Sequence, residues 1–193
     1  MLLYKKLKNF PLYNEIREKT VSFIKQYDFI YNRSIATLMP LHQFGIFEKV
    51  PEIKQAFSTL GLNPTFIAVH NINKQSDSAP HYDRVQPWVR INIPLINCED
   101  SETIFYQDYD KSRIFLNPHN GTTAYIMEDE SVLTKIDSVV LDSPTILRVS
   151  ELHSVKIGPN TPRMSLTVGF DYPATDLLEE EKLEFFRSIK VCD

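Results

Sequence analysis

Apolar residues along the chain keep two different periods. From Asn14, the positions Ile16, Thr20, Phe23/Ile24 and Tyr27 recur at helical spacing, with Glu15 and Glu18 in the first turn, where the helix dipole favours acidic side chains. Pro51 followed by Glu52, Ile53, Ala56, Phe57 and Leu60, then Gly61, predicts a shorter helix with proline just inside its start and glycine past its end. Between Thr65 and Phe170 the pattern changes to short β-branched or aromatic runs separated by Pro, Gly, Asn and Asp: Thr65–Asn71, Trp88–Leu95, Thr103–Tyr106, Arg113–Leu116, Thr122–Met127, Ser138–Leu141, Thr145–Val149 and Arg163–Phe170. So many short strands predict a sandwich, barrel or jelly roll. Asp176, with Glu179 three residues on, opens a capping-box-like start into Leu183, Phe186 and Ile189, so a helix closes the chain. The acidic, turn-rich segment Asn97–Ser112 reads as an exposed loop holding a short strand.

Two runs alternate strictly. Arg163, Ser165, Thr167 and Gly169 share one face of a strand, and Met164, Leu166, Val168 and Phe170 the other. Val89, Ile91, Ile93 and Leu95 oppose Arg90 and Asn92 in the same way. Taken alone, such faces are half-exposed strands with their polar side in water; Arg90 and Asn92 line an interior if that side is turned inward, and are surface residues if it is not.

Composition narrows the function classes. Of 193 residues, 42% are hydrophobic and 24% charged, which is enough to build a core and excludes a disordered or fibrous chain. The length suits a single domain, read as a helical N-terminal buttress over 1–64, a β core over 65–170 and a C-terminal helix over 171–193. The net charge is −4, and the dense basic cluster Lys5, Lys6 and Lys8 sits near a terminus expected to fray, so no nucleic acid partner is expected. No apolar run approaches the ~20 residues of a membrane span, and Met1-Leu2-Leu3-Tyr4 is cut short by lysines, unlike a signal peptide. The expectation is a cytoplasmic protein with no membrane partner. Cys98 and Cys192 lack metal-ligand spacing and are expected to be reduced thiols. Asn32-Arg33-Ser34 and Asn120-Gly121-Thr122 match the glycosylation pattern by chance on this reading. His42 and His119, next to Pro40 and Pro118, read as surface loop residues, Trp88 as a core or rim residue, and Tyr106 and Tyr125 as packing residues.

The candidate chemistry lies in a few separated residues. His81-Tyr82-Asp83 puts an imidazole and a carboxylate on one face of an extended segment, but composition alone produces about 0.3 such pairs in a chain like this. His153 supplies a second imidazole far along the chain. Two His and one carboxylate form the facial triad that leaves open positions on a non-haem Fe(II). Arg163 follows His153 by ten residues, so a turn between them lets the guanidinium run back beside the metal, where its fork suits a dicarboxylate's far end. That offset outweighs the surface-strand reading of Arg163 and Ser165.

His81-x-Asp83, His153 and Arg163-x-Ser165 resemble the Fe(II)- and 2-oxoglutarate-dependent oxygenase superfamily, whose fold is a double-stranded β-helix, a cupin-like jelly roll. The resemblance spans roughly Thr65 to Phe170. Within it, Arg90-Ile91-Asn92-Ile93-Pro94-Leu95 looks like the aspartyl/asparaginyl β-hydroxylase-like group, with Asn92 where that group commonly has His and Asp83 where some members have Gly. The resemblance implies a mainly β fold with flanking helices and an enzyme that uses Fe(II), 2-oxoglutarate and dioxygen to hydroxylate an amino acid or peptidyl residue, releasing succinate. It implies His81, Asp83 and His153 as catalytic iron ligands and Arg163 as partner of the far carboxylate, with Ser165 assisting. Arg90 and Asn92 would lie near the co-substrate or the primary substrate, and His70 is either a co-substrate contact or a packed histidine. From another class, a non-catalytic cupin-like binding or structural module with a degenerate metal site shares the same scaffold. Nucleic-acid demethylation, which related barrels perform, would need a basic groove or stacking platform that this sequence does not offer.

Overall fold

The computed structural model describes residues 1–27, 37–72, 78–83, 89–107, 114–116, 123–126, 132–170 and 176–193. Its strands are β1 (Tyr4–Lys6), β2 (Thr37–Pro40), β3 (Pro64–Ile72), β4 (Ser78–Asp83), β5 (Val89–Ile96), β6 (Glu102–Gln107), β7 (Ile114–Leu116), β8 (Thr123–Ile126), β9 (Thr134–Val140), β10 (Thr145–Arg148), β11 (His153–Lys156) and β12 (Arg163–Phe170). They pair antiparallel in two six-stranded sheets, ordered β1-β10-β5-β12-β3-β2 and β7-β8-β4-β11-β6-β9. From β3 to β6 and again from β9 to β12, successive strands alternate between the sheets, the β6–β9 pair bridging the two halves. This winding is that of a jelly roll, and the mainly β, cupin-like expectation holds.

Helices α1 (Tyr13–Lys25), α2 (Ile46–Lys49), α3 (Glu52–Thr59) and α4 (Glu180–Ser188) complete the described residues, with a 3-10 turn over Leu41–Phe44. Helices and the first sheet share one apolar cluster: Ile16, Phe23 and Ile24 of α1, Ile53 and Phe57 of α3 and Phe186 of α4 pack with Ile67, Val69, Ile91, Ile93, Leu166 and Val168. Each fully buried side chain of this size contributes about 1.5–3 kcal/mol, so this face is the fold's main source of stability. Helix α1 is also tied to β5 by polar contacts, Tyr13 Oη donating to Pro94 O (3.2 Å) and Arg17 Nε to Leu95 O (2.8 Å). Helix α3 ends as the sequence predicts, with Gly61 at φ +65° and open space around it. A side chain there gains no contact and strains the left-handed backbone, so Gly61→Ala is expected to lower unfolding stability by about 1 kcal/mol in a urea titration.

Several elements differ from expectation. The N-terminal stretch is not purely helical: β1 and β2 form the two edges of the first sheet. The Lys5–Lys8 region does not fray, because β1 pairs with β10 while Lys6 and Lys8 form ion pairs with Asp142 and Asp193. The strand expected within Asn97–Ser112 is present as β6, but as an interior strand between β11 and β9 and not as part of an exposed loop; 108–112 lie outside the described residues. His42 is half-buried rather than on a surface loop, its ring against Phe66 (5.2 Å) and its Nδ1 donating to Ile67 O (3.2 Å). The capping box does not form at Asp176: its carboxylate accepts from Leu178 N (2.9 Å) in a turn ahead of α4, whose N-cap is Glu179. Cys98 and Cys192 are buried and unpaired. Among the described residues no helix is long and apolar enough to cross a membrane. Trp88, His119 and both glycosylation-like motifs lie outside the described residues, as does the Tyr125 side chain.

Candidate functional site

The first sheet has an apolar face and a polar face, and the helices take the apolar one. Met164, Leu166, Val168 and Phe170 of β12, with Val89, Ile91, Ile93 and Leu95 of β5, belong to the helix-covered cluster. Strand alternation therefore turns Arg163, Ser165, Thr167, Arg90, Asn92 and His70 the other way. That other face meets the second sheet, since Leu147 of β10, paired with Arg90, packs with Phe105 of β6 and Val139 of β9. Apolar residues thus fill one part of the space between the sheets and polar residues line another. Arg90 and Asn92 are interior, not surface, residues.

From the second sheet, β4 and β11 bring the two separated histidines together. His81 and His153 are directly paired across the strands, and their rings lie 4.4 Å apart. The register shifts between them and the next pair, Ser78 with Val155, so β4 bulges just before His81; bulges re-aim side chains next to sites. His153 is also paired with Phe105, whose ring packs 6.0 Å from its own. Each imidazole donates from Nδ1 to a carbonyl two residues back: His81 to Ala79 O (2.8 Å) and His153 to Glu151 O (2.9 Å). Those bonds fix the tautomer and leave Nε2 as the nitrogen that bears the lone pair, the form in which imidazole ligates a metal. Burial, then repulsion from His81, pushes the His153 pKa down to about 3, although its bond to Glu151 works the other way.

The polar face of the first sheet carries a guanidinium. Arg163 is 2% exposed, its Nη1 donates to Ser165 Oγ (2.8 Å) and its Nε has no hydrogen-bond partner. Among the described residues no carboxylate forms an ion pair with it; the nearby Cys98 thiol donates from Sγ to Met164 O (2.9 Å). Burial lowers the Arg163 pKa, yet a guanidinium stays charged in a protein. His70, paired with Ser165 on β3, feels both Arg163 and His81; burial and those two charges push its pKa down to about 3. His70 is thus within electrostatic reach of both Arg163 and His81.

Asp83 completes the set from the end of β4, where its backbone N–H donates to Val149 O (2.7 Å). Burial raises its carboxyl pKa, against the opposing pull of His81 and Arg90. Arg90 is 8% exposed, and its Nη1 lies 3.7 Å from where a Cβ on Gly169 would stand. Among the described residues, no three His, Cys, Asp or Glu side chains stand close enough together to hold a metal ion. The donor chemistry nevertheless suits one: two imidazoles with their Nδ1 positions occupied, and a carboxylate within electrostatic reach of one of them.

Asn92 and Thr167 are bonded partners on the polar face, Thr167 Oγ1 donating to Asn92 Oδ1 (2.9 Å). Both keep some accessible surface, as do His70 and Phe66, while their strand neighbours Arg90, Ile91, Ile93, Leu166, Val168 and Ala68 are buried. Sequence reading missed Phe105, which backs His153, and Cys98, which neighbours Arg163; both depend on cross-strand register, which leaves no local signal. Tyr106 is turned away from the site, with its hydroxyl on Ser154 Oγ (2.9 Å).

No family model and no curated protein matches this chain. Among solved structures it is similar to AviO1 from Streptomyces viridochromogenes Tue57, at 11% identity and a TM-score of 0.53, over 90% of this chain and 91% of that one. It is also similar to apo ThoJ, a non-heme monooxygenase, at 12% identity and a TM-score of 0.46, over 97% and 90% of the two chains. A third likeness is to Cellulomonas parahominis L-ribose isomerase with L-psicose, at 10% identity and a TM-score of 0.35, over 86% of each chain. The first of these likenesses is one of fold.

Proposed function

We propose that this chain is an Fe(II)- and 2-oxoglutarate-dependent oxygenase that hydroxylates an amino acid or a peptidyl residue. The observation that carries the reading is Arg163: a buried cation with an unpaired Nε and, among the described residues, no carboxylate beside it, in a fold that also pairs two histidines whose tautomers suit a metal, His70 feeling both Arg163 and His81. Holding an isolated charge out of water costs several kcal/mol, so a fold that keeps one there is built to receive an anion.

On this reading His81, Asp83 and His153 hold the iron, and Arg163 with Ser165 binds the far carboxylate of 2-oxoglutarate. When bound, the iron supplies the dioxygen chemistry that couples loss of carbon dioxide from 2-oxoglutarate to attack on a C–H bond. The chain's own residues bind, orient and exclude water. Neutral His70 stands within reach of both the anchor and the ligand His81 without adding charge, and Phe105 backs the His153 ring. A second reading, a jelly-roll module that binds an anion at Arg163 without turning it over, is favoured by one observation: among the described residues the donors do not close on a common point.

Anaerobic titration of the protein with Fe(II) and 2-oxoglutarate separates the two. A weak visible charge-transfer band, absent in His81→Ala, together with succinate formation on admitting air, is the expected result. Binding of 2-oxoglutarate by calorimetry with neither band nor succinate would establish the module, and no binding at all would remove both readings.

A further inference from the structure

We propose that Leu38 and Phe115 form an apolar lip at the mouth of the space between the sheets, on which the primary substrate rests an aliphatic or aromatic group remote from the carbon that reacts. The inference rests on the reading above, in which the reactants meet between the sheets, and extends it to how the second reactant is held. In the second sheet, directly paired residues run in one row from Phe115 through position 125 to His81, His153 and Phe105. In the first sheet a row runs from Leu38 to His70, Ser165 and Pro94. Directly paired residues project to the same face of a sheet, so Leu38 and Phe115 share the inward faces of His70 and His81. Their strand neighbours agree: Met39 packs on the helix-covered cluster, and Ile114 packs with Ile104 and Leu152 on the outer side of the second sheet. Each row thus starts on an edge strand, β2 or β7, with a large apolar side chain and leads to the candidate site.

The two edges of the sandwich are built differently. Along one, Leu3 packs with Val139 of β9, Tyr4 of β1 stacks on Phe105 (6.3 Å), and Leu147 of β10 joins them, so the sheets close on each other. The opposite edge is bounded by β2 and β7. Leu3 and Val139 are 7% and 4% exposed at the closed edge, whereas Leu38 and Phe115 are 56% and 42% exposed. A single exposed apolar residue is ordinary; two of them, each heading a row that ends in the candidate site, make a surface that an apolar group can cover. Spacing says which part of the substrate that group is. From β7 to β4, and from β2 to β12, is two strand spacings, about 10 Å. One extended residue spans only about 3.5 Å, so the group on the lip is not the one that reacts. It supplies binding energy from a distant part of the substrate, which an enzyme can spend on orienting the reacting carbon.

The test is calorimetric titration of the protein in excess 2-oxoglutarate with glycine amide N-acylated by acetyl, butanoyl or octanoyl chains. Wild type is expected to bind the octanoyl probe at least tenfold more tightly than the acetyl probe, with a negative heat capacity change that grows with chain length. Leu38→Asn and Phe115→Asn, both at exposed positions, should each remove at least threefold of that gain, and the double variant all of it. Affinity for 2-oxoglutarate should stay within twofold of wild type throughout, and Leu38→Met should keep the gain. The absence of any gain with chain length overturns the proposal, as does a gain that survives in the double variant, or no binding of any probe. A wild type that sediments as a dimer, with the double variant a monomer, also overturns it, because the lip would then cover a second copy of this chain. A gain with chain length in a protein that binds no 2-oxoglutarate keeps the lip and strikes the oxygenase reading.

Discussion

Replacing Arg163 by methionine is expected to make the protein more stable and to abolish its affinity for 2-oxoglutarate. The two effects have opposite signs because the guanidinium is 2% exposed and, among the described residues, bonded to a neutral hydroxyl but not to a carboxylate. Methionine has a similar unbranched stem and no charge to desolvate. Replacing buried charges by apolar side chains of like volume is often neutral or stabilising by about 1–4 kcal/mol; the loss of the bond to Ser165 Oγ offsets part of that. The expected gain is about 1–3 kcal/mol, or several degrees in the melting temperature of a chain of this size. Against it, losing a buried charge-assisted contact costs about 2–5 kcal/mol of binding, a fall in 2-oxoglutarate affinity of roughly 10²–10³-fold. Saturating 2-oxoglutarate with Fe(II) should raise the wild-type melting temperature and leave Arg163→Met unmoved. A variant that melts lower than wild type while still responding to the ligand would make Arg163 a structural residue and remove the main support for the proposed function.

The parts of the fold that could be read beforehand are those whose stability is local or whose burial is one-sided. Strand β12 begins and ends at Arg163 and Phe170 as its alternation predicts, and α1 and α3 follow their buried stripes. The same alternation put Arg90, Asn92, Ser165 and Thr167 on shared faces, although it could not say that those faces turn inward; that depends on the helices covering the opposite side. The strands that carry the histidines were the least legible. Ser-Ala-Pro-His-Tyr-Asp and His-Ser-Val-Lys are short, polar and without alternation, and they are strands because they pair with each other and with β6. Their register, which sets His81 on one side of His153 and Phe105 on the other, comes from the winding of the whole sheet. Motif spacing therefore singled out His81 and His153 where local propensity saw no element. The strand over Thr103–Tyr106 was expected and is β6, but the acidic look of Asn97–Ser112 hid its burial: Thr103 and Phe105 are buried there, and the turn-rich composition belongs to the strand's flanks.

Acid should destabilise the metal-free protein well before its carboxylates are protonated. His70 and His153 are each pushed from 6.5 to about 3 in the folded state, chiefly by burial. Unfolding releases both imidazoles to water, where they take up protons near pH 6.5. Between that pH and about 3 the unfolded chain therefore binds more protons than the folded one, so stability is full above pH 6.5 and is lost as the pH falls. Each group forfeits about 1.4 kcal/mol per pH unit, which is on the order of 2 kcal/mol per histidine by pH 5 and about 4 kcal/mol for the two. Asp83 works in the opposite direction: its raised pKa means the folded state holds its proton more tightly, which returns some stability at the acid end. The net loss should be read from urea unfolding of the chelator-treated protein between pH 7.5 and 5. His70→Gln keeps a polar side chain of similar size and removes one of the two titrations, so about half of the pH dependence should disappear with it. If wild type and His70→Gln lose stability in parallel over that range, His70 is not held neutral in the fold, and the electrostatic arrangement of Arg163, His70 and His81 drawn from its burial is wrong.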